Sequence, residues 1–230
     1  MKTLIFRARG DYARFRCPYT TTSALTYTVM HPIAVKGLIG AVMGIDYNDL
    51  YEYTKDMKIA IEVLKPIKKD TQSFNLIPQT HGNGAASFQS RVEFLRDVDY
   101  RIYLTYSNQN KLSREEELIK IKNVLLNREY IFTPYLGASE HIAKLEFEDI
   151  KDIEDPDLTE NLQIKSVFPK ESIKIEENSD VNICLDRIPV KNEKSREYIE
   201  YKKVAFVPGG SAAGWNDGIL KVGESNVYFF

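Results

Sequence analysis

The 230-residue chain has two cysteines, one tryptophan and three histidines. Cys17 and Cys184 are far apart and match no metal-ligand spacing, which excludes a disulfide framework and suits a reducing compartment. None of His31, His81 and His141 has a metal-binding partner at i+4, so metal catalysis is not expected and no cofactor is implied. Long apolar runs are missing as well. The opening MKTLIFRARG is broken at Arg7 before it could serve as a signal peptide. The longest apolar stretch, Ile33 to Ile45, is interrupted by Lys36 and falls well short of the ~20 residues of a membrane span. GxGxxG and GxSxG are absent, and the glycine-rich GGSAAGW from Gly209 to Trp215 lacks the Lys-Ser/Thr of a phosphate-binding loop. The expectation is a soluble cytoplasmic protein with no membrane contact.

What is present is ordinary globular material, 43% apolar and 28% charged, with a net charge of -2. The near-neutral total conceals an asymmetry. Residues 1–111 carry 15 Lys+Arg against 10 Asp+Glu, and residues 112–230 carry 16 against 23. Lys2, Arg7, Arg9, Arg14, Arg16 and Lys36 face only Asp11 within the first forty residues. Such a division suggests an anionic partner on one side, though solvated faces of opposite sign would give it too.

Periodicity predicts an α+β chain. Residues 2–8, 57–65, 99–106 and 141–148 read as strands. Pro32 sits at a first helical position ahead of PIAVKGLIGAVMGI, whose Gly37, Gly40 and Gly44 predict close packing against a sheet or a neighbouring backbone. Ser113 and Glu116 form a capping-box pattern opening an amphipathic helix. The order strand, helix, strand, strand, helix, strand is that of the ferredoxin-like (RRM-like) βαββαβ unit. This predicts a domain over residues 1–150, with an excursion at about 67–95 read as a hairpin or loop. An acidic stretch then opens a smaller β-rich lobe over 151–230.

The segment YARFRCPYTTTSALTYT is the most informative. Arg14 and Arg16 alternate with Tyr12, Phe15 and Tyr19 and precede Thr20, Thr21 and Thr22. Guanidinium groups grip phosphates, rings accept stacked bases, and hydroxyls bond phosphate or ribose. The plain alternative is a surface loop with incidental arginines and core aromatics. Gly82-Asn83-Gly84 beside His81 permits close approach to a ligand but is also a standard hairpin turn. Gly137 in TPYLGASEH reads equally as a helix C-cap.

Taken together, FRARGDYARFRCPYTTTSALTYTVMHPIAVKGLIGAVMGI resembles the N-terminal signature of the fifth family of CRISPR-associated proteins, of the RAMP superfamily, and its subtype I-B members most. TPYLGASEH resembles a second motif of that family. The resemblance implies a non-catalytic subunit of the type I surveillance complex, Cascade, holding the repeat-derived 5′ handle of the CRISPR RNA in antiviral defence. The excursion would be a thumb lying against that RNA. The implied partners are the guide RNA, the backbone subunit, the large subunit that reads the protospacer-adjacent motif, and target DNA through the complex. Carried onto this sequence, the handle contacts are Arg7, Arg9, Tyr12, Arg14, Phe15, Arg16, Tyr19, Thr20, Thr21, Thr22 and Lys36. Lys36 would add its charge to that of a helix N-terminus. His81, Gly82, Asn83 and Gly84 are thumb candidates, and Gly137 would allow close RNA approach. Two alternatives stand beside this reading. One is a metal-independent repeat endonuclease of the subtype I-C kind, for which Tyr47, His81 and Lys36 could be nominated. The other is an α+β scaffold with no RNA role.

Overall fold

Alternating apolar residues in KTLIFRARGDYA carry the first strand, β1, from Lys2 through Ala13, beyond the seven residues expected. The chain then forms β2 (Ser23–Ala24), α1 (Pro32–Met43), α2 (Leu50–Thr54), β3 (Met57–Val63), β4 (Lys68–Leu76), β5 (Phe88–Tyr106), α3 (Lys111–Asn127) and β6 (Lys144–Glu154). Short strands follow: β7 (Leu162–Ile164), β8 (Phe168–Pro169), β9 (Cys184–Asn192), β10 (Tyr198–Phe206), β11 (Ala212–Gly214), β12 (Ile219–Val222) and β13 (Ser225–Tyr228). The computed structural model describes residues 1–20, 23–76, 88–107, 111–156, 162–173, 182–214 and 217–230. It is a mixed α+β chain, mostly sheet with few helices.

Strand β1 pairs antiparallel with β5 on one side and with β6 on the other, and β5 pairs antiparallel with β3. Phe6 is opposite Ile102 and Phe147, and Ile102 is opposite Ile61. Period-2 alternation turns Leu4, Phe6 and Ala8 to one face, where they join Ile59, Ile61, Tyr100, Ile102 and Leu104 in the main core. Val35, Leu38, Ile39 and Val42 of α1, and Leu118, Ile121 and Leu125 of α3, complete that core. Opposite it, Ile5, Ala60 and Tyr103 pack with Val222, Val227 and Phe229. The sheet path runs on from β6 through β12, β13 and β7 to β11, while β8, β10 and β9 form a separate three-stranded sheet. No helix of the described residues is long and apolar enough to cross a membrane.

The excursion after β3 is a hairpin. Strand β4 runs antiparallel to the outer half of β5, from Lys68 opposite Arg96 to Leu76 opposite Phe88. The sequence shows β5 only as residues 99–106 because its outer half packs less of its surface and is poorer in apolar residues. Residues His81, Gly82, Asn83 and Gly84 lie outside the described residues. Along α1 the three glycines differ in purpose. A Cβ on Gly40 would strike Leu50 Cδ1 at 2.3 Å, and Gly44 is the left-handed C-cap, with φ 67°. Gly37 has nothing within 4 Å of such a Cβ, so close packing within the chain does not account for it.

The N-terminus of α1 is closed by His31, whose Nδ1 accepts the Ala34 N–H at 3.2 Å. The rings of Tyr27, Tyr198 and Phe15 surround the imidazole at 5.5, 5.6 and 6.1 Å. This corrects the expectation of a phosphate at that helix end, since a buried imidazole and aromatic rings already occupy it. Burial pushes the His31 pKa down to about 3. The unfolded chain therefore binds a proton near the ordinary value of 6.5 that the folded chain refuses. Stability contributed by neutral His31 is present above pH 6.5 and is lost as pH falls toward 3, by about 1.4 kcal/mol per unit at most. Urea midpoints measured from pH 7 to 4 should fall less steeply in His31→Asn, which keeps a capping oxygen and cannot titrate.

Candidate nucleic-acid interface

The aromatic and basic segment after β1 is a stitched hairpin. Tyr27 N–H donates to the Phe15 carbonyl and Cys17 N–H to the Leu25 carbonyl, both at 2.9 Å. Phe15 N–H donates to Thr26 Oγ1 at 2.9 Å. Beyond this turn, β2 runs parallel to the outer part of β5, Ser23 opposite Arg91. Thr21 and Thr22 lie outside the described residues.

A second segment crosses this hairpin. Arg14 N–H donates to the Leu136 carbonyl at 3.0 Å, and Leu136 N–H donates to the His141 carbonyl at 2.8 Å. Gly137 has φ 86°, and a Cβ there would lie 1.9 Å from the Arg14 carbonyl oxygen. The two motifs quoted from the sequence therefore meet, backbone against backbone. Gly137 is not a helix C-cap, because α3 ends at Asn127. Its need for glycine comes from Arg14, and no RNA is required to explain it.

The arginines divide into two groups. Arg7 grips Asp99 through Nε and Nη2, at 2.6 and 2.5 Å. The Asp99 side chain is only 1% exposed, so it needs a counterion, and its bond to Arg7 raises the Arg7 pKa. Arg9 pairs with Glu146, both groups half-exposed. Arg101 holds Glu148 at 2.6 Å and Glu62 at 3.2 Å on the same face. This corrects the expectation for Arg7, whose guanidinium is the fixed partner of a buried carboxylate, and Arg9 too is engaged by an acid.

Arg14 and Arg16 have no ion pair among the described residues. Burial, and next the nearby Arg16 charge, push the Arg14 pKa down, with the Glu140 charge opposing. The Arg14 Nε is buried without a hydrogen-bond partner. Arg16 is exposed. Two guanidinium groups thus sit close without an ion pair, one of them partly desolvated, which is the electrostatic condition that attracts an anion.

The aromatic candidates also separate. Phe15 is 2% exposed, its ring against His31 and Tyr100, so it belongs to the core and is not free to stack on a base. This corrects its assignment. Tyr19 is 64% exposed, and the adjacent Cys17 thiol, with some burial, pushes its hydroxyl up to about 12. Thr20 donates its hydroxyl to the Cys17 carbonyl at 3.0 Å. Tyr12 is half-buried, its ring 6.1 Å from His141 and 6.3 Å from Phe94. Lys36 lies on α1 near Asp56, and Tyr47 is exposed with Arg196 at 4.4 Å over its ring.

Sequence reasoning missed His141, whose Nε2 is buried without a partner, and Phe94, whose ring meets His141 at 5.3 Å. It also missed Phe74, against Phe94 at 6.0 Å, and the exposed Phe88, Arg91 and Arg96 of the hairpin. The alternation in SRVEFLR (90–96) was the available signal, hidden behind the turn residues that precede it. Among the described residues, no cluster of three His, Cys, Asp or Glu could hold a metal.

Solved structures share this fold. A chain of a CRISPR RNA-guided surveillance complex is similar at TM-score 0.56 and 13% identity, over 92% of this chain and 91% of that one. A CRISPR protein from Archaeoglobus fulgidus is similar at TM-score 0.56 and 10% identity, over 99% and 98%. Among curated proteins nothing matches. The sequence itself matches the family described as CRISPR-associated protein (Cas_Cas5) over residues 3–202. The chain belongs to that Cas5 family.

Because the Arg14 carbonyl fills the space beside Gly137, Gly137→Ala should destabilise the protein by about 2–4 kcal/mol, adding backbone strain to a direct clash. Urea denaturation against the parent protein measures this, and an unchanged midpoint would mean the crossing is loose.

Proposed function

We propose that the chain is a non-catalytic RNA-binding subunit of a type I surveillance complex, Cascade, of the I-B kind, holding the repeat-derived 5′ handle of the guide RNA. The observation that carries this is the Arg14–Arg16 pair, without an ion pair among the described residues and held by the Gly137 crossing beside the half-buried Tyr12 and exposed Tyr19. Family membership and the fold shared with a surveillance-complex chain support the same reading. The sheet order β6-β1-β5-β3, antiparallel throughout, with α1 and α3 packed on one face, supports a ferredoxin-like core in residues 1–150. Residues 151–230 form the smaller β-rich lobe in this reading. The β4–β5 hairpin serves as the thumb, its Phe74, Phe88 and Arg91 adding stacking and charge to the RNA track.

Protein partners fit the exposed apolar residues. Ile119 and Leu126 of α3, and Ile131 and Phe132 beyond it, are 51–65% exposed. These suit the backbone or large subunit of the complex. The endonuclease alternative draws no support from a joined set of groups: among the described residues no hydrogen bond links Lys36 and Tyr47, and His81 is outside them.

One experiment tests the reading. A labelled repeat RNA is incubated with the protein, with and without EDTA, and scored for cleavage and for retention of the 5′ handle. Retention without cleavage is expected. Specific cleavage would overturn the non-catalytic assignment, and absence of any preference for handle-containing RNA, alone or with the backbone subunit, would overturn RNA binding. Arg14→Ala combined with Arg16→Ala should weaken binding and reduce the salt dependence by roughly two phosphate contacts. An unchanged slope would mean that these arginines face no phosphate.

A further inference from the structure

Ile188, Val204 and Phe206 of the three-stranded sheet point into the main core. Asp186, on the same side of β9, is held by Thr28, its Oδ2 accepting the backbone N–H at 2.7 Å and the hydroxyl at 2.5 Å. Alternation leaves Leu185, Arg187 and Lys203 on the outer side, all exposed. Arg187 and Lys203 stand directly opposite each other across the β9–β10 pair. Like charges so placed destabilise a sheet, and neither side chain has a hydrogen bond or an ion pair among the described residues. Further along the same pair the charges balance, with Lys191 opposite Glu200. Lys202 is engaged elsewhere, its ammonium 5.8 Å over the Tyr228 ring.

The Arg187 guanidinium lies over the Tyr201 ring, its Cζ 5.0 Å from the centroid. That contact orders the fork while leaving its N–H groups without an acceptor. Tyr201 also connects this place to the arginine hairpin. Its ring meets Tyr198 at 6.2 Å, and Tyr198 meets His31 at 5.6 Å. Its hydroxyl acts electrostatically on Tyr19 and Tyr27, whose rings are 6.5 Å apart.

We propose that Arg187 and Lys203 form a second anion site, on the β9–β10 pair, for a phosphodiester of single-stranded nucleic acid. A base of that strand stacks on the open side of the Arg187 guanidinium. The site is separate from Arg14 and Arg16, and only the path to it past Tyr19 rests on the RNA-binding reading. A phosphodiester relieves the repulsion between the opposed cations, accepts from the guanidinium fork and brings a base to stack. An acidic peptide would meet the charge but leave the stacked guanidinium and the exposed Tyr19 unused.

The test uses the full chain, the variants Lys203→Glu and Arg187→Lys, and fluorescent probes. These are a handle RNA, the same RNA lengthened by about ten unpaired nucleotides, its DNA counterpart, and an oligouridine without the handle. Lys203→Glu sets an acid opposite Arg187, so it should melt at an equal or higher temperature, by ~1–3 °C. It should nonetheless weaken the lengthened RNA and the oligouridine by on the order of tenfold, lower their salt slope by about one, and spare the handle RNA. Arg187→Lys keeps the charge and loses the fork, and should weaken the same two probes by about threefold with the slope unchanged. An equal loss on the DNA probe assigns the site to the phosphodiester of either strand, and a loss on RNA alone assigns it to RNA. Unchanged affinity for both longer RNA probes in Lys203→Glu overturns the site, as does an equal loss on the handle RNA or an effect confined to association with protein subunits. If the parent shows no handle preference while Lys203→Glu still weakens oligouridine binding, the handle reading fails and this site stands. The reverse result removes this site alone.

Discussion

The contact on which the site depends is a crossing of two backbones. Gly137 lies so close to the Arg14 carbonyl that no side chain fits between them, and the Arg14 N–H is bonded to the Leu136 carbonyl on the same segment. Hydrogen bonds from Phe15 and Cys17 to the returning strand at Leu25 to Tyr27 then fix the direction of the chain. The result is that Arg14 and Arg16 project from a braced hairpin instead of a free loop. Holding two like charges together costs energy, and the crossing supplies the rigidity that keeps them from separating. An anion binding there finds its donors already ordered, which lowers the entropy lost on association.

The same strand gives its arginines opposite tasks within a few residues. Arg7 and Arg9 are neutralised by Asp99 and Glu146 on the neighbouring strands, so this part of the sheet is internally balanced. Past Ala13 the chain turns away from β1, and Arg14 and Arg16 have no ion pair among the described residues, although Glu140 lies near Arg14. Unpaired positive charge appears where β1 ends, and the rings of Tyr12, Phe94 and Phe74 continue from that point onto the hairpin. The net charge of the chain is a poor guide to its partner for this reason. What matters is where the compensating carboxylates are missing.

Much of the helix and strand order was legible in the sequence. The alternation of β1 and β3, Pro32 at the start of α1 and the apolar positions of α3 are local signals, and each marks its element. The division among the arginines was not legible, because Asp99 lies 92 positions from Arg7 and Glu146 lies 137 from Arg9. No window of sequence contains both partners. Phe15 misled for a related reason: its hydroxyl-rich, basic surroundings suggest a surface ring, while hairpin geometry turns it onto His31 and Tyr100. Gly137 suggested a helix cap because α3 precedes it, and its actual contact is more than a hundred residues upstream. The glycines of α1 were read as one pattern, though each answers to a different neighbour.

Arg14 and Arg16 are open cations, without an ion pair among the described residues, while Arg7 is closed by Asp99. Titrating the ¹⁵N-labelled protein with a repeat-derived RNA, and following the arginine Nε–H resonances, tests this directly. The Arg14 and Arg16 signals should shift with saturation while that of Arg7 stays at its Asp99-bound position. Movement of the Arg7 signal with Arg14 and Arg16 unmoved would contradict it.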